Sequence, residues 1–257
     1  MVATRLGSGL IAGKTGLKQS AWFNRGGNAY FIRRPWLKKV VPTPHEGESV
    51  YNACGLPLFF DDDYVPPEQT IDRLRSCFES MRKNAGGKIL VSKRTANNRR
   101  LKQLARIFPS ARYVRLLRDG REVAQSLSLV EWWNSHKLWW ANCTPLELEQ
   151  QGEDRLAICA RNWVHEINEI EQGLKYIDPA RVLDVRFADL LNEPVDNLNR
   201  IAAFLGLGFP EEYGQALESL HMSYTPNKWA KSWTPEQQAT VLREQKSLLA
   251  KLGFIES

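Results

Sequence analysis

No stretch of this sequence is long and apolar enough to cross a bilayer, and its first residues lack the apolar core of a secretory signal. The chain is therefore expected to be cytoplasmic, with no membrane span. The four cysteines, Cys54, Cys77, Cys143 and Cys159, show neither a CxxC spacing nor a pairing with histidine, so no metal site is expected from them. Reduced thiols fit that setting. Asn142-Cys-Thr144 has the glycosylation pattern, but without a secretory signal it is read as chance. There is no lysine/arginine run of the length that argues for nucleic acid. Internal repeats and low-complexity tracts are missing too, which argues against a solenoid or a disordered chain.

What is present is 257 residues with 43% hydrophobic and 25% charged content and a formal net charge of +6. That suits one soluble α/β domain, residues 1–257, with enough apolar side chains for a sizeable core. The charge excess is mild and compatible with an anionic ligand.

The chain is organised around residues 112–126. Tyr113 to Leu117 is an apolar run of strand length, Arg118-Asp-Gly120 is a turn, and Val123, Ser126 and Leu127 follow at helical spacing. A strand that feeds a helix through a short turn is half of a βαβ unit, and ligands of such sheets sit at the carboxyl ends of strands. Arg118 would end the strand, with Ser126 eight residues on, about two turns into the helix. A planar guanidinium fork and a hydroxyl converging on one spot suit a phosphate. Further strands are predicted over 21–23, 88–92 and 181–187. An amphipathic helix is predicted over Pro67 to Asn84, where Ile71, Leu74, Cys77, Phe78 and Met81 share a face. Trp132, Trp133, Trp139 and Trp140 pair at i and i+7, on one stripe if that segment is helical; core, subunit contact or a wall for a ligand are the readings. Thr144-Pro-Leu-Glu147 and Thr234-Pro-Glu-Gln237 are capping boxes with Pro at the first helical position. Gly152 is placed to break the long helical pattern up to Tyr176, and Gly206 to cap the helix before it.

Pro109 to Leu127 resembles the 3′-phosphate-binding segment of sulfotransferases, enzymes that use 3′-phosphoadenosine 5′-phosphosulfate (PAPS). The resemblance implies that Arg118 and Ser126 hold the 3′-phosphate. Lys93-Arg-Thr-Ala-Asn97 is similar to the Lys-Thr-Pro-x-Asn found after a central strand in many bacterial members, with Lys93 and Asn97 in frame. Arg181 to Leu191, with Pro194 and Phe204-Leu-Gly206, is similar to the second signature, although Ala188 replaces the usual Glu. Thr4 to Leu10 resembles a degraded phosphosulfate loop, Pro-Arg-Ser-Gly-Thr-Thr-Leu. Arg5 and Gly7 match, Ser8 and Gly9 stand for the two Thr, and Leu6 replaces Ser. Only Met1-Val-Ala3 precede it, so the first strand is nearly absent or the start is truncated. Gly13-Lys-Thr15 fails as a nucleoside-triphosphatase loop because Ser8 occupies the required glycine position.

The resemblance implies a three-layer α/β domain with a short parallel sheet flanked by helices. The activity it implies is sulfuryl transfer from PAPS to a hydroxyl or amine of a small-molecule or glycan acceptor. It implies no metal. Arg5, Lys93 and the backbone of 7–9 would meet the phosphosulfate. Lys228 and Trp229 would belong to a closing C-terminal loop. No histidine follows Lys93 at the position the cytosolic branch uses, so His45, Glu46 and Glu48 are the candidates for the base that takes the acceptor proton. Packing against a second copy is left open. Two other readings stand beside this one: a degenerate, non-catalytic nucleotide- or partner-binding member, and a P-loop kinase-like enzyme.

Overall fold

A computed structural model describes residues 3–6, 9–11, 43–45, 48–58, 60–61, 63–84, 89–218 and 224–256. Contacts divide the chain into two compact units, Met1–Pro109 and Ser110–Ser257.

The first unit carries a three-stranded antiparallel sheet of order β2-β1-β3, made of β1 (Ala3–Leu6), β2 (Gly9–Ile11) and β3 (Thr43–His45). Leu6 pairs with Gly9, so Arg5 and Gly9 are strand residues of a hairpin. The loop expected over Thr4 to Leu10 is corrected at Arg5 and Gly9, which are paired strand residues. Gly7 and Ser8 lie outside the described residues, as does the expected strand 21–23.

Helices α1 (Glu48–Cys54) and α2 (Glu68–Asn84) come next, then a 3-10 segment over Thr95–Arg100 that runs into α3 (Leu101–Ile107). Val50, Tyr51, Cys54, Leu56, Ile71, Leu74, Leu104 and Ile107 form their buried core. Cys77, Phe78 and Met81 pack against it, which is the apolar face the helical spacing predicts. The expected strand over 88–92 is corrected: residues 89–92 have no strand pairing. Ile89 and Val91 are exposed, and Ser92 bonds to side chains instead. A short apolar run is ambiguous until a partner strand is found for it.

The second unit is the predicted βαβ arrangement. Strand β4 (Tyr113–Leu117) pairs in parallel with β5 (Val182–Arg186), in register from Tyr113↔Val182 to Leu117↔Arg186. The crossover contains α4 (Gly120–Ser128), a 3-10 turn at Glu131–Ser135, α5 (Pro145–Gln150) and α6 (Arg155–Leu174). After β5 come α7 (Phe187–Asn192), α8 (Pro194–Leu205), α9 (Glu211–Glu218), α10 (Lys228–Ser232) and α11 (Pro235–Lys251). Helices α4, α6 and α11 pack on one another, while α7 and α8 contact β5. The result is the expected α/β class, a short parallel sheet flanked by helices.

Both predicted capping boxes form, at Thr144/Glu147 and at Thr234/Gln237. Gly206 ends α8 with φ of 72°, a left-handed conformation that glycine takes without steric cost. Gly120 permits close packing of α4: a Cβ there would lie 2.6 Å from the Trp163 ring and 2.7 Å from Gln245 Oε1. Gln245 is buried and donates to the Gly120 and Ala160 carbonyls at 3.0 and 3.3 Å, tying α11 to α4 and α6.

The tryptophan stripe does not form. The 3-10 turn stops at Ser135, leaving Trp133 buried at 2% exposure and Trp132 outside at 65%. Trp139 and Trp140 lie in a loop and donate their indole N–H groups to Glu166 (2.9 Å) and Asn162 (3.0 Å) of α6. A half-buried indole needs an acceptor, and α6 supplies one to each. Among the described residues no helix is long and apolar enough to cross a membrane.

Candidate functional site

Within the second unit, β4 delivers Arg118 to its carboxyl end, and Asp119 caps α4 by accepting from the Arg121 backbone N–H at 2.9 Å. A carboxylate favours a helix N-terminus because unpaired N–H groups and the helix dipole meet there. Arg118 is part-exposed at 38%. Its Nε donates to Glu122 Oε2 at 3.1 Å, one helical turn on, and its guanidinium lies over the Phe187 ring with the central carbon 4.8 Å from the centroid. Neither Nη nitrogen bonds to another side chain or to backbone among the described residues. Arg118 is thus oriented from behind, and its fork is available to an anion.

Glu122 is buried at 6% exposure, and its second oxygen, Oε1, accepts from the Tyr224 hydroxyl at 2.6 Å. Burial, and then the hydrogen bond and charge of Glu122, push the Tyr224 phenol up to about 12, so it stays a donor at physiological pH. These groups line a cavity of about 130 Å³ with Leu117, Asp119, Arg186, Ala188 and Phe254. That volume takes a phosphate group rather than a whole nucleotide.

Ser126 lies on α4, as predicted, and is exposed; it does not line this cavity. Lys228 is exposed at the start of α10. Trp229 is half-buried beneath the Arg121 guanidinium, 4.6 Å from its central carbon, and its indole N–H has no acceptor among the described residues. A larger cavity of about 400 Å³ nearby is lined by Arg115, Arg186, Arg200, Lys251, Asp184 and Asp189, among others. Its cations each have a partner: Arg115 with Asp184, Arg186 with the Leu252 carbonyl, Arg200 with the Asp184 carbonyl, and Lys251 with Glu171. In the smaller cavity Arg118 bonds only through Nε among the described residues, and the carboxylates of Asp119 and Glu122 line it as well.

Within the first unit, Arg100 is fully buried, and it grips Glu48 in a bidentate pair at 2.7 and 2.9 Å. It also donates to the Pro57 carbonyl and lies over the Tyr51 ring. Arg94 Nε adds a contact to Glu48 at 2.6 Å. Burial alone would raise the Glu48 pKa, but the hydrogen bonds and charges of Arg100 and Arg94 outweigh it and hold the carboxyl below its ordinary value. The Tyr51 hydroxyl lies 2.9 Å from Ser92 Oγ, which also receives Asn97 Nδ2 at 3.2 Å. Lys93 follows Ser92 and is exposed. His45 lies in β3 with its side chain outside the described residues, and Glu46 is outside them altogether; so is the Arg5 side chain.

The sequence reading missed Glu122, Tyr224 and Arg100. The Arg118/Glu122 spacing of i, i+4 on an amphipathic helix is a usable signal. Tyr224 and Arg100 had none, because their partners are 102 and 52 residues away. Among the described residues no group of His, Cys, Asp and Glu could hold a metal ion.

Residues 46–211, well over half of the chain, match the family model for the sulfotransferase family. The omega-hydroxy-beta-dihydromenaquinone-9 sulfotransferases Stf3 of Mycobacterium bovis and Mycobacterium tuberculosis are each 25% identical to it over 170 residues. The match covers 65% of this chain and 42% of theirs, so it spans less than half of the length of these relatives. The crystal structure of sulfotransferase STF9 from Mycobacterium avium is similar with a TM-score of 0.57, covering 92% of this chain and 63% of that one at 15% identity.

Proposed function

The chain belongs to the sulfotransferase family, and from that premise we propose that it moves a sulfuryl group from PAPS to an acceptor hydroxyl or amine. The observation that carries the donor half is Arg118: a strand-end arginine, braced at Nε and on its ring-covered face, with both Nη groups facing no protein partner among the described residues. A phosphate oxygen pair fits such a fork bidentately. The family motif assigns Ser126 to the same 3′-phosphate, although Ser126 does not line the Arg118 cavity. Binding that remote phosphate fixes the geometry of the reacting end.

The transfer itself is an in-line displacement at sulfur. The acceptor oxygen or nitrogen forms a bond to sulfur, the bond from sulfur to the bridging phosphate oxygen breaks, and negative charge grows on the departing 5′-phosphate. By analogy with phosphoryl transfer, cations and backbone N–H groups must meet that charge. Arg5, Lys93 and the 7–9 backbone are assigned that task, and Lys228 and Trp229 the closing of the nucleotide site. His45, Glu46 and Glu48 are the candidates for accepting the proton. The Stf3 relatives are named for a hydroxylated menaquinone, so an alcohol on a lipophilic small molecule is the acceptor class to assay first.

Calorimetric titration with 3′-phosphoadenosine 5′-phosphate tests the donor assignment. Arg118→Ala weakens binding by at least tenfold on this reading, a loss in line with a charge-assisted pair. Unchanged affinity refutes it. A second reading, a nucleotide-binding member without turnover, is favoured by one observation: Arg5 and Gly9 of the segment expected to form the phosphosulfate loop lie in antiparallel strands. Tight nucleotide binding with no sulfation across a panel of lipophilic and phenolic alcohols and amines would select it.

A further inference from the structure

We infer that Tyr224 and Glu122 are positioning residues that keep the Arg118 fork open for a phosphate, so that the segment carrying Tyr224 sets the selectivity for 3′-phosphorylated nucleotides; the inference rests on the assignment of Arg118 above.

The geometry is a three-member chain. Tyr224 donates to Glu122 Oε1 at 2.6 Å, and Glu122 Oε2 accepts from Arg118 Nε at 3.1 Å. A carboxylate beside an arginine usually takes two of its N–H groups in parallel, and this chain does so elsewhere, at Arg100–Glu48 and Arg121–Asp119. Such a grip at Arg118 would occupy an Nη nitrogen and compete with the ligand. Glu122 does not grip it so. One of its oxygens is spent on the phenol, and the other meets only Nε. The contact steers the guanidinium and leaves its far edge unbonded.

Glu122 is buried at the wall of the cavity, so only a water held there could replace the phenol as partner of Oε1. Without the Tyr224 hydroxyl the cheapest way to satisfy that oxygen is a second bond to Arg118. The site would then remain folded with its phosphate fork closed. Tyr224 belongs to a segment fastened to α4 a second time, where Arg121 lies over Trp229 of α10. Docking of that segment and readiness of Arg118 are thus physically linked through one carboxylate.

The experiment compares 3′-phosphoadenosine 5′-phosphate with adenosine 5′-phosphate on the full chain, by calorimetry, for wild type, Tyr224→Phe, Glu122→Gln and Arg118→Ala. The expected result is that Tyr224→Phe, which removes one oxygen, weakens the bisphosphate by about tenfold and leaves the monophosphate unchanged, because only the former has a group at Arg118. Glu122→Gln gives the same pattern. Adding Tyr224→Phe to Arg118→Ala costs nothing further, since Tyr224 acts only through Arg118. Equal losses for both nucleotides, with a lower melting temperature, mean a merely structural role and overturn the inference. If Arg118→Ala loses the preference for the bisphosphate but Tyr224→Phe and Glu122→Gln keep it, the inference fails while the donor assignment stands. If the wild type does not distinguish the two nucleotides, the assignment of Arg118 fails and takes the inference with it.

Discussion

Glu48→Gln separates two roles that one carboxylate could have. As the acceptor's base, Glu48 would matter to turnover and little to folding. As a partner of Arg100, it would matter to folding first. The structure supports the second. Arg100 has no exposed side-chain surface, and Glu48 has 18%. Breaking one side of a buried ion pair typically costs about 3–5 kcal/mol, because the remaining charge is stranded. Two features reduce that figure here. Arg100 keeps its bonds to the Pro57 carbonyl, and a glutamine oxygen can still accept one guanidinium N–H. A loss of about 3 kcal/mol is therefore expected. In a chain of this size that corresponds to a fall of roughly 6–12 °C in melting temperature.

The assay is thermal and urea unfolding of wild type, Glu48→Gln and the double variant Glu48→Gln with Arg100→Leu. Replacing both charges by neutral groups removes the stranded cation, so the double variant should recover at least half of the loss. Arg94, which loses its Glu48 contact, is 25% exposed and can turn to water. A melting temperature within about 2 °C of wild type for Glu48→Gln, together with abolished turnover, would refute the anchor and restore Glu48 as base.

The same pair gives a pH prediction. The Glu48 carboxyl is held below its ordinary value in the folded state. Its contribution is therefore fully present above the unfolded carboxyl value of about 4.3 and is lost as pH falls through the folded one. Urea unfolding from neutral pH downward should show wild type losing its advantage over Glu48→Gln only on that acid limb; a constant difference down to strong acid contradicts the linkage. Gly120→Ala places a methyl 2.6 Å from the Trp163 ring and 2.7 Å from Gln245 Oε1, which should cost about 1–3 kcal/mol by overpacking, read as a lower denaturation midpoint. A neutral effect would mean that α4 and α11 separate more easily than their packing implies.

What the sequence made legible is local. The strand, turn and helix around Arg118 are written in about fifteen consecutive residues, so pattern alone placed them. The capping boxes at Thr144 and Thr234 need only four residues each, and both formed. Gly206 is of the same kind. Failures came where structure depends on a distant partner. Residues 89–92 have strand composition but find no strand to pair with. The spacing of the tryptophans is helical, yet Trp139 and Trp140 are satisfied by acceptors on α6 and need no helix of their own. The glycine-rich run at the start reads equally as a phosphate loop or a hairpin connection, since both exploit glycine's freedom.

That division explains why a family motif is weaker evidence of function than it looks. The motif specifies that an arginine stands at the end of β4. It does not specify whether the guanidinium is available. In this chain availability rests on three supports at increasing sequence distance: Glu122, four residues on; Phe187, beneath the guanidinium; and Tyr224, 102 residues from the carboxylate it holds. Only the first lies within the motif. A relative that keeps the Arg118 segment but has an apolar residue where Tyr224 stands should therefore match the family equally well and still bind the bisphosphate poorly. Swapping phenylalanine for tyrosine at that place in such a relative should restore the preference, and failure to do so would show that the phenol's hold on the carboxylate is incidental.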